Sequence, residues 1–174
     1  MSRSDPTSEN RDILPINWSE SLVAEFAERT AEKLGFQPGD DIHELVEKTL
    51  GGTIEIEAWD ERAPSGMIDV RGPKQFTISL SPYTSRARDV FTIAHELGHY
   101  FLHAEGGKKR ISVRREGNNR AELEANWFAA NFLLPKQKFT DLWREHKGNH
   151  YLIANQLRVS PAFVAVRASR LNLA

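Results

Sequence analysis

The sequence predicts an α+β fold: a small antiparallel sheet of three strands packed on one long buried helix and further helices, with a helical, helix-turn-helix-like segment at the C-terminal end. Three observations predict it. Residues 53–58, 67–70 and 75–80 are short apolar stretches at strand spacing, and the short spacing between them favours an antiparallel meander. From about residue 85 the apolar period lengthens to that of a helix. Inside that helical part stands His95-Glu96-Leu97-Gly98-His99, flanked by Phe91, Ile93, Ala94, Tyr100, Phe101 and Leu102, so the helix carrying it is apolar nearly all round and buried.

Taken in order, residues 1–17 are polar, contain Pro6 and Pro15, lack the apolar core of a signal peptide, and read as a flexible tail. Residues 19–34 place Leu22, Phe26, Ala31 and Leu34 near one stripe, and Gly35 stops that helix. Asp40 and Asp41 introduce a shorter helix through Ile42, Leu45, Val46 and Leu50, ended by Gly51-Gly52. The three strands follow, with a turn at Ser65-Gly66. A helix runs from about 85 to 103, and residues 105–118, rich in glycine and charge, form a loop. Helix resumes over 119–134 until Pro135 ends it, and another covers about 137–146. Residues 151–171 form two short helices split at Val159-Ser160-Pro161, where Ser is a helix cap and Pro suits the first helical position. The domain at 18–146 thus carries the motif, and 147–174 is a small helical segment packed on it.

Composition excludes several functions. The 174 residues can bury one good core. The formal net charge is −1, which gives no overall pull towards nucleic acid or membrane, and no apolar run approaches the roughly 20 residues a membrane span needs. The absence of cysteine removes disulfides, thiolate metal sites and cysteine nucleophiles together, and fits a reducing, cytoplasmic setting.

What remains for metal chemistry is histidine and carboxylate. On a helix, residues four apart share a face, so His95 and His99 direct two imidazoles at one ion. Glu96 lies about 100° further round, placed to reach a water rather than the metal, as a general base must. Buried histidines are often plain core residues bonded to a neighbouring carbonyl. Two of them and a carboxylate within five residues would each need a separate partner, whereas one zinc ion and its water serve all three. Catalytic zinc takes three protein ligands and an open position. The next helix offers Glu122 and Glu124. Glu122 has a local use, since Asn119-Arg120-Ala121-Glu122 has capping-box spacing. Trp127 and Phe128 make the face of Glu124 apolar, which favours Glu124 as the third ligand. His103 lies closer to His95 than the third histidine of the longer H-E-x-x-H-x-x-G-x-x-H pattern does. It is therefore read as a group behind the ligands or, preferably, as a helix C-cap.

The run from Phe91 to His103 resembles the signature of the ImmA/IrrE metallopeptidase family. Glu124-Ala125-Asn126-Trp127-Phe128-Ala129-Ala130-Asn131-Phe132-Leu133-Leu134-Pro135 is similar to that family's glutamate–Ala–Asn segment ending in Leu–x–Pro. The resemblance spans roughly 19–135. It implies a compact zinc peptidase with Zn²⁺ held by His95, His99 and Glu124 and with Glu96 as general base. It also implies a regulatory role in the cytoplasm: cleaving, or promoting cleavage of, a helix-turn-helix repressor encoded nearby, or acting in a toxin–antitoxin pair.

Two basic regions remain. Lys108, Lys109, Arg110, Arg114, Arg115 and Arg120 crowd the loop between the two ligand-bearing helices, as a solvated loop or as a lid for an acidic partner. Beyond Glu145 there is no acidic residue, and residues 153–164 read like a helix-turn-helix. Its second helix offers Ala162, Phe163, Val164, Ala165 and Val166 where base readers would be needed, and only Arg167, Ser169 and Arg170 suit a groove. A structural bundle or a docking surface for a repressor is the better expectation. The leading expectation is an endopeptidase acting on a protein partner. The alternatives are a non-catalytic regulator that binds a repressor without cutting it, and a DNA-binding regulator.

Overall fold

In the computed structural model, which describes residues 13–57, 66–114 and 117–174, helix starts and stops fall where local chemistry puts them. Ser19 accepts a hydrogen bond from the Leu22 N–H and begins α1 (Glu20–Leu34), and Gly35, at φ 67°, closes it in the left-handed turn that side chains resist. Asp41 accepts from the His43 and Glu44 N–H groups and starts α2 (Ile42–Glu44), which widens into a π-type turn at Leu45–Thr49. Ser85 caps α3 (Arg86–Gly98), which also widens into a π-type turn, His99–His103. Asn119 caps α4 (Arg120–Leu133), and α5 (Lys136–Glu145), α6 (His150–Leu157) and α7 (Pro161–Arg170) follow. Residues 1–12, Ala58 and Ser65 of the expected tail, first strand and turn lie outside the described residues. Among the described residues no helix is long and apolar enough to cross a membrane.

The sheet is larger and more mixed than expected. Strands β1 (Thr53–Ile56), β2 (Gly66–Gly72), β3 (Gln75–Leu80) and β4 (Ile111–Arg114) lie in the order β1-β3-β2-β4. Only β2 and β3 form the expected hairpin, with Ile68 opposite Ile78 across Pro73 and Lys74. Strand β1 pairs with β3 in parallel, so the three strands are not a meander. Alternation reveals a strand but not its neighbour, and the long connection after β1 frees it from hairpin pairing with β2. Strand β4 occupies part of the stretch expected as loop, pairing antiparallel with β2 and burying Val113 opposite Ile68. A four-residue strand with one fully inward apolar side chain gives almost no periodic signal.

The core lies between one face of the sheet, bearing Ile68, Val70, Phe76, Ile78 and Leu80, and the helices. Helix α4 is its axis, because it packs against both α1 and α3. On one side Phe128 meets Phe26 of α1. On the other, α3 comes so near that a side chain at Gly98 would stand 3.0 Å from the Ala125 Cα and 3.1 Å from its carbonyl oxygen. Residues 13–17, expected as tail, contribute Ile13 and Ile16 to the edge of this core.

The C-terminal helices also pack inward. Ser160 accepts from the Phe163 N–H, Pro161 opens α7 as expected, and Phe163, Val164 and Ala168 are buried. Arg167, expected among the residues suited to a groove, is buried too. Its guanidinium donates to the Leu134 carbonyl at 2.8 and 3.1 Å and to Asn131 Oδ1 at 2.8 Å, closing the C-terminal end of α4.

The Gly98 contact yields the first prediction. Gly98→Val should lower unfolding stability in urea by about 1–3 kcal/mol, because the clash is with backbone of a packed helix that cannot rotate away. Unchanged stability would mean that α3 and α4 do not meet this closely.

Candidate metal centre

Helix geometry brings His95 of α3 and His99, the first residue of its π-type extension, to one face, as their spacing requires. The carboxylate facing them is that of Glu122: Oε2 lies 3.0 Å from His95 Nε2 and Oε1 lies 3.1 Å from His99 Nε2. One ligand atom from each of the three residues lies within 4.8 Å of the other two, and all three residues are buried. The expectation of Glu124 as third ligand is thereby corrected. Asn119 does cap the helix by accepting from the Glu122 N–H at 3.0 Å, but that uses the main chain and leaves the side chain to the histidines.

Glu124 is fully buried on another face of α4. Its carboxylate accepts from the Ile16 N–H at 2.9 Å, the Asn17 N–H at 2.7 Å and Arg120 Nε at 3.1 Å, and it contacts His103 Nε2 at 2.9 Å. His103 is no exposed C-cap but a buried group whose Nδ1 stands 2.9 Å from His99 Nδ1. Arg120 belongs to this structural cluster rather than to a lid, since it also donates to the Trp18 carbonyl and lies over the Trp127 ring at 4.8 Å. Arg115 lies outside the described residues.

The donor set fits a cation. His95 Nδ1 faces the side-chain oxygen of Asn126 at 2.8 Å, and since that oxygen only accepts, Nδ1 carries the proton. The other nitrogen of a neutral His95 then presents a lone pair to Glu122 Oε2, itself only an acceptor. Lone pairs that converge in a dry site need a positive charge between them, which a metal ion or protons on the imidazoles supply. A bond from the far ring nitrogen to a side-chain oxygen is also how proteins orient ligand histidines. Asn126 was missed as a participant. Its position four residues after Glu122, one helical turn along the same face, was the available signal.

Electrostatics agree. With those protons on the imidazoles, burial still works against the charged form of Glu122, but hydrogen bonds from His95 and His99 outweigh it and hold the carboxyl down at about 2. Burial likewise opposes ionisation of Glu124, and its bonds from His103, the Ile16 N–H, Arg120 and the Asn17 N–H keep it below the usual carboxylate range. Burial pulls His103 below the ordinary imidazole range, against the hydrogen bond to Glu124. Glu96 is buried on α3, and Gly66 at the start of β2 makes room for it: a side chain there would stand 2.9 Å from Glu96 Oε1. Glu96 thus sits between the helix and the sheet. A cavity of about 410 Å³ adjoins His95 through Asn126, lined by Phe91, Thr92, Trp127 and Phe163 among others.

Two histidines and the intervening glutamate on one buried helix, with a carboxylate from the next, form a candidate metal site of the H-E-x-x-H kind. The family model described as peptidase M78, IrrE N-terminal-like domain, matches residues 53–169, and the chain belongs to that family. No curated protein matches the chain significantly. Among solved structures, a Mycobacterium tuberculosis transcriptional regulator has a similar fold, with TM-score 0.60 and 20% identity over 86% of this chain. This chain covers 46% of that regulator's length.

The lowered carboxyl of Glu122 gives a pH prediction. A group that titrates lower in the folded than in the unfolded chain adds stability above its unfolded pKa of about 4.5, and loses that contribution as pH falls towards its folded pKa of about 2. Metal-free wild type should therefore exceed Glu122→Gln in urea stability near pH 5, and the difference should close on acidification towards pH 2. A difference independent of pH would contradict the pairing with His95 and His99.

Proposed function

We propose that this chain is a zinc-dependent endopeptidase that hydrolyses a peptide bond in a regulatory protein partner, a helix-turn-helix repressor or an antitoxin encoded nearby. One observation carries the enzymatic part: His95, His99 and Glu122 converge in a buried site while Glu96, on the same helix, remains outside the ligand set. Three protein ligands of nitrogen and oxygen type, with no fourth in the cluster among the described residues, would suit a catalytic zinc rather than a closed structural one. The partner rests on the similarity of the two motif segments to ImmA/IrrE proteins.

When bound, zinc supplies a Lewis acid that acidifies water and polarises a carbonyl. The protein's own groups do the rest. Glu96, held beside Gly66 where β2 leaves space for a carboxylate, takes the proton from the attacking water. It then returns that proton to the leaving amine nitrogen as the peptide bond breaks. Asn126 keeps His95 in the orientation that aims Nε2 at the site. The cavity beside Asn126, where Phe91, Trp127 and Phe163 stand with the charged Arg88 and Arg170, offers a place for substrate next to the site.

The test separates binding from chemistry. Purified wild type should hold about one zinc per chain, and His95→Ala or Glu122→Ala should lose it. Glu96→Gln should keep the zinc but cut a proteome-derived peptide library, read by mass spectrometry, about 10²–10⁴-fold more slowly. Zinc-loaded wild type that cleaves nothing, or a Glu96→Gln variant that cleaves equally well, would overturn the peptidase reading and leave a regulator that binds without cutting.

A further inference from the structure

Glu124 is a carboxylate with no solvent exposure, and four donors meet its two oxygens. Burying such a charge is costly unless it is fully bonded, so the chain spends two main-chain N–H groups, an arginine and a histidine on it. The two N–H groups are successive: Asn17 takes a left-handed backbone, φ 59°, which an asparagine tolerates, and both Ile16 and Asn17 aim at the carboxylate. The cluster ends on His99, because His103 bridges Glu124 and His99 through its two ring nitrogens.

We propose that Glu124 and His103 are positioning residues for the metal centre: together they dictate which nitrogen of His99 carries the proton. This rests on the site proposed above, in which His99 binds zinc through Nε2. The logic runs outward from the carboxylate. An ionised carboxylate can only accept, so His103 Nε2 donates to Glu124 Oε2. In neutral His103 the other nitrogen, Nδ1, then has only a lone pair to offer. Across the 2.9 Å gap to His99 Nδ1 one proton must be shared, and it can come only from His99. His99 therefore carries its proton on Nδ1 and turns the lone pair of Nε2 towards Glu122. Reversing the first bond would reverse every later one and put a proton where the metal binds. Asn126 does the same for His95 in one step. The main-chain bonds of Ile16 and Asn17 hold the far end of the longer relay, so the strap before α1 is part of the site's support.

The experiment uses the full chain and four proteins besides wild type: Glu122→Ala, Glu124→Gln, His103→Phe and His103→Asn. Zinc affinity is measured by chelator competition, the cobalt-loaded proteins by absorption spectrum, and the zinc-loaded proteins by ¹⁵N shifts of the histidine rings, with thermal unfolding to show that each is folded. Wild type should show His103 protonated on Nε2 and bare on Nδ1. His103→Phe removes the acceptor, and Glu124→Gln places an amide that either donates to His103 or faces the N–H donors. Both should weaken zinc binding about 10- to 100-fold and alter the cobalt spectrum. In His103→Asn the amide oxygen takes the place of Nδ1 as acceptor, and affinity should return towards wild type. Should His103→Phe fail to fold, Glu124→Gln and His103→Asn carry the comparison. Wild type and Glu122→Ala binding zinc equally, or neither binding it, overturns the reading of the site and the relay with it. A site lost only in Glu122→Ala, with Glu124→Gln and His103→Phe at wild-type affinity, overturns the relay alone, as does His103 protonated on Nδ1.

Discussion

Helices α3 and α4 must approach until the Glu122 carboxylate stands about a hydrogen bond away from two imidazoles, and most of the architecture serves that approach. Gly98 admits the Ala125 backbone, so the two helices close on each other one turn from the site. Helix α1 backs α4 from the opposite side through Phe26 against Phe128, and Phe128 stacks in turn on Phe132. The sheet closes the third side, with Gly66 of β2 leaving space for Glu96. The convergence of His95, His99 and Glu122 is electrostatically costly without a cation, and packing strong enough to hold it is what makes the site ready for one.

The same helix supports two polar systems of opposite character. One face of α4 carries Glu122 and Asn126 towards α3, where they deal with His95 and His99 directly. Another carries Arg120 and Glu124 towards the strap before α1, where the carboxylate is already saturated with donors. That saturation is why Glu124 serves poorly as a ligand and well as a fixed anchor. Metal sites depend on what lies behind the ligands as much as on the ligands. The widened turn at His99–His103 places both histidines within one cluster with Glu124, and π-type turns are common at functional sites.

How much of this was legible differs from element to element. The caps at Ser19, Ser85, Asn119 and Ser160 and the stop at Gly35 were readable because each is a local hydrogen bond or a local backbone demand. The convergence of His95 and His99 was readable because a spacing of four leaves helix geometry little freedom. The parallel pairing of β1 with β3 was not, because a strand's period says nothing about its partner. Glu122 was passed over for a physical reason. Apolar neighbours mark a buried face, but α4 is buried on two faces, against α1 and against α3, and only the second leads to the histidines. The pair Glu122 and Asn126, polar residues one turn apart beside Ala125 and Ala129, marked that second face.

Anomalous diffraction from crystals of the zinc-loaded protein, recorded on either side of the zinc absorption edge, tests the central claim most directly. The account predicts one strong peak about 2.0–2.2 Å from Nε2 of His95, Nε2 of His99 and an oxygen of Glu122, with Glu124 still bonded to His103 and to the main chain of residues 16 and 17. A peak ligated by Glu124 or His103, or none between α3 and α4, would contradict it.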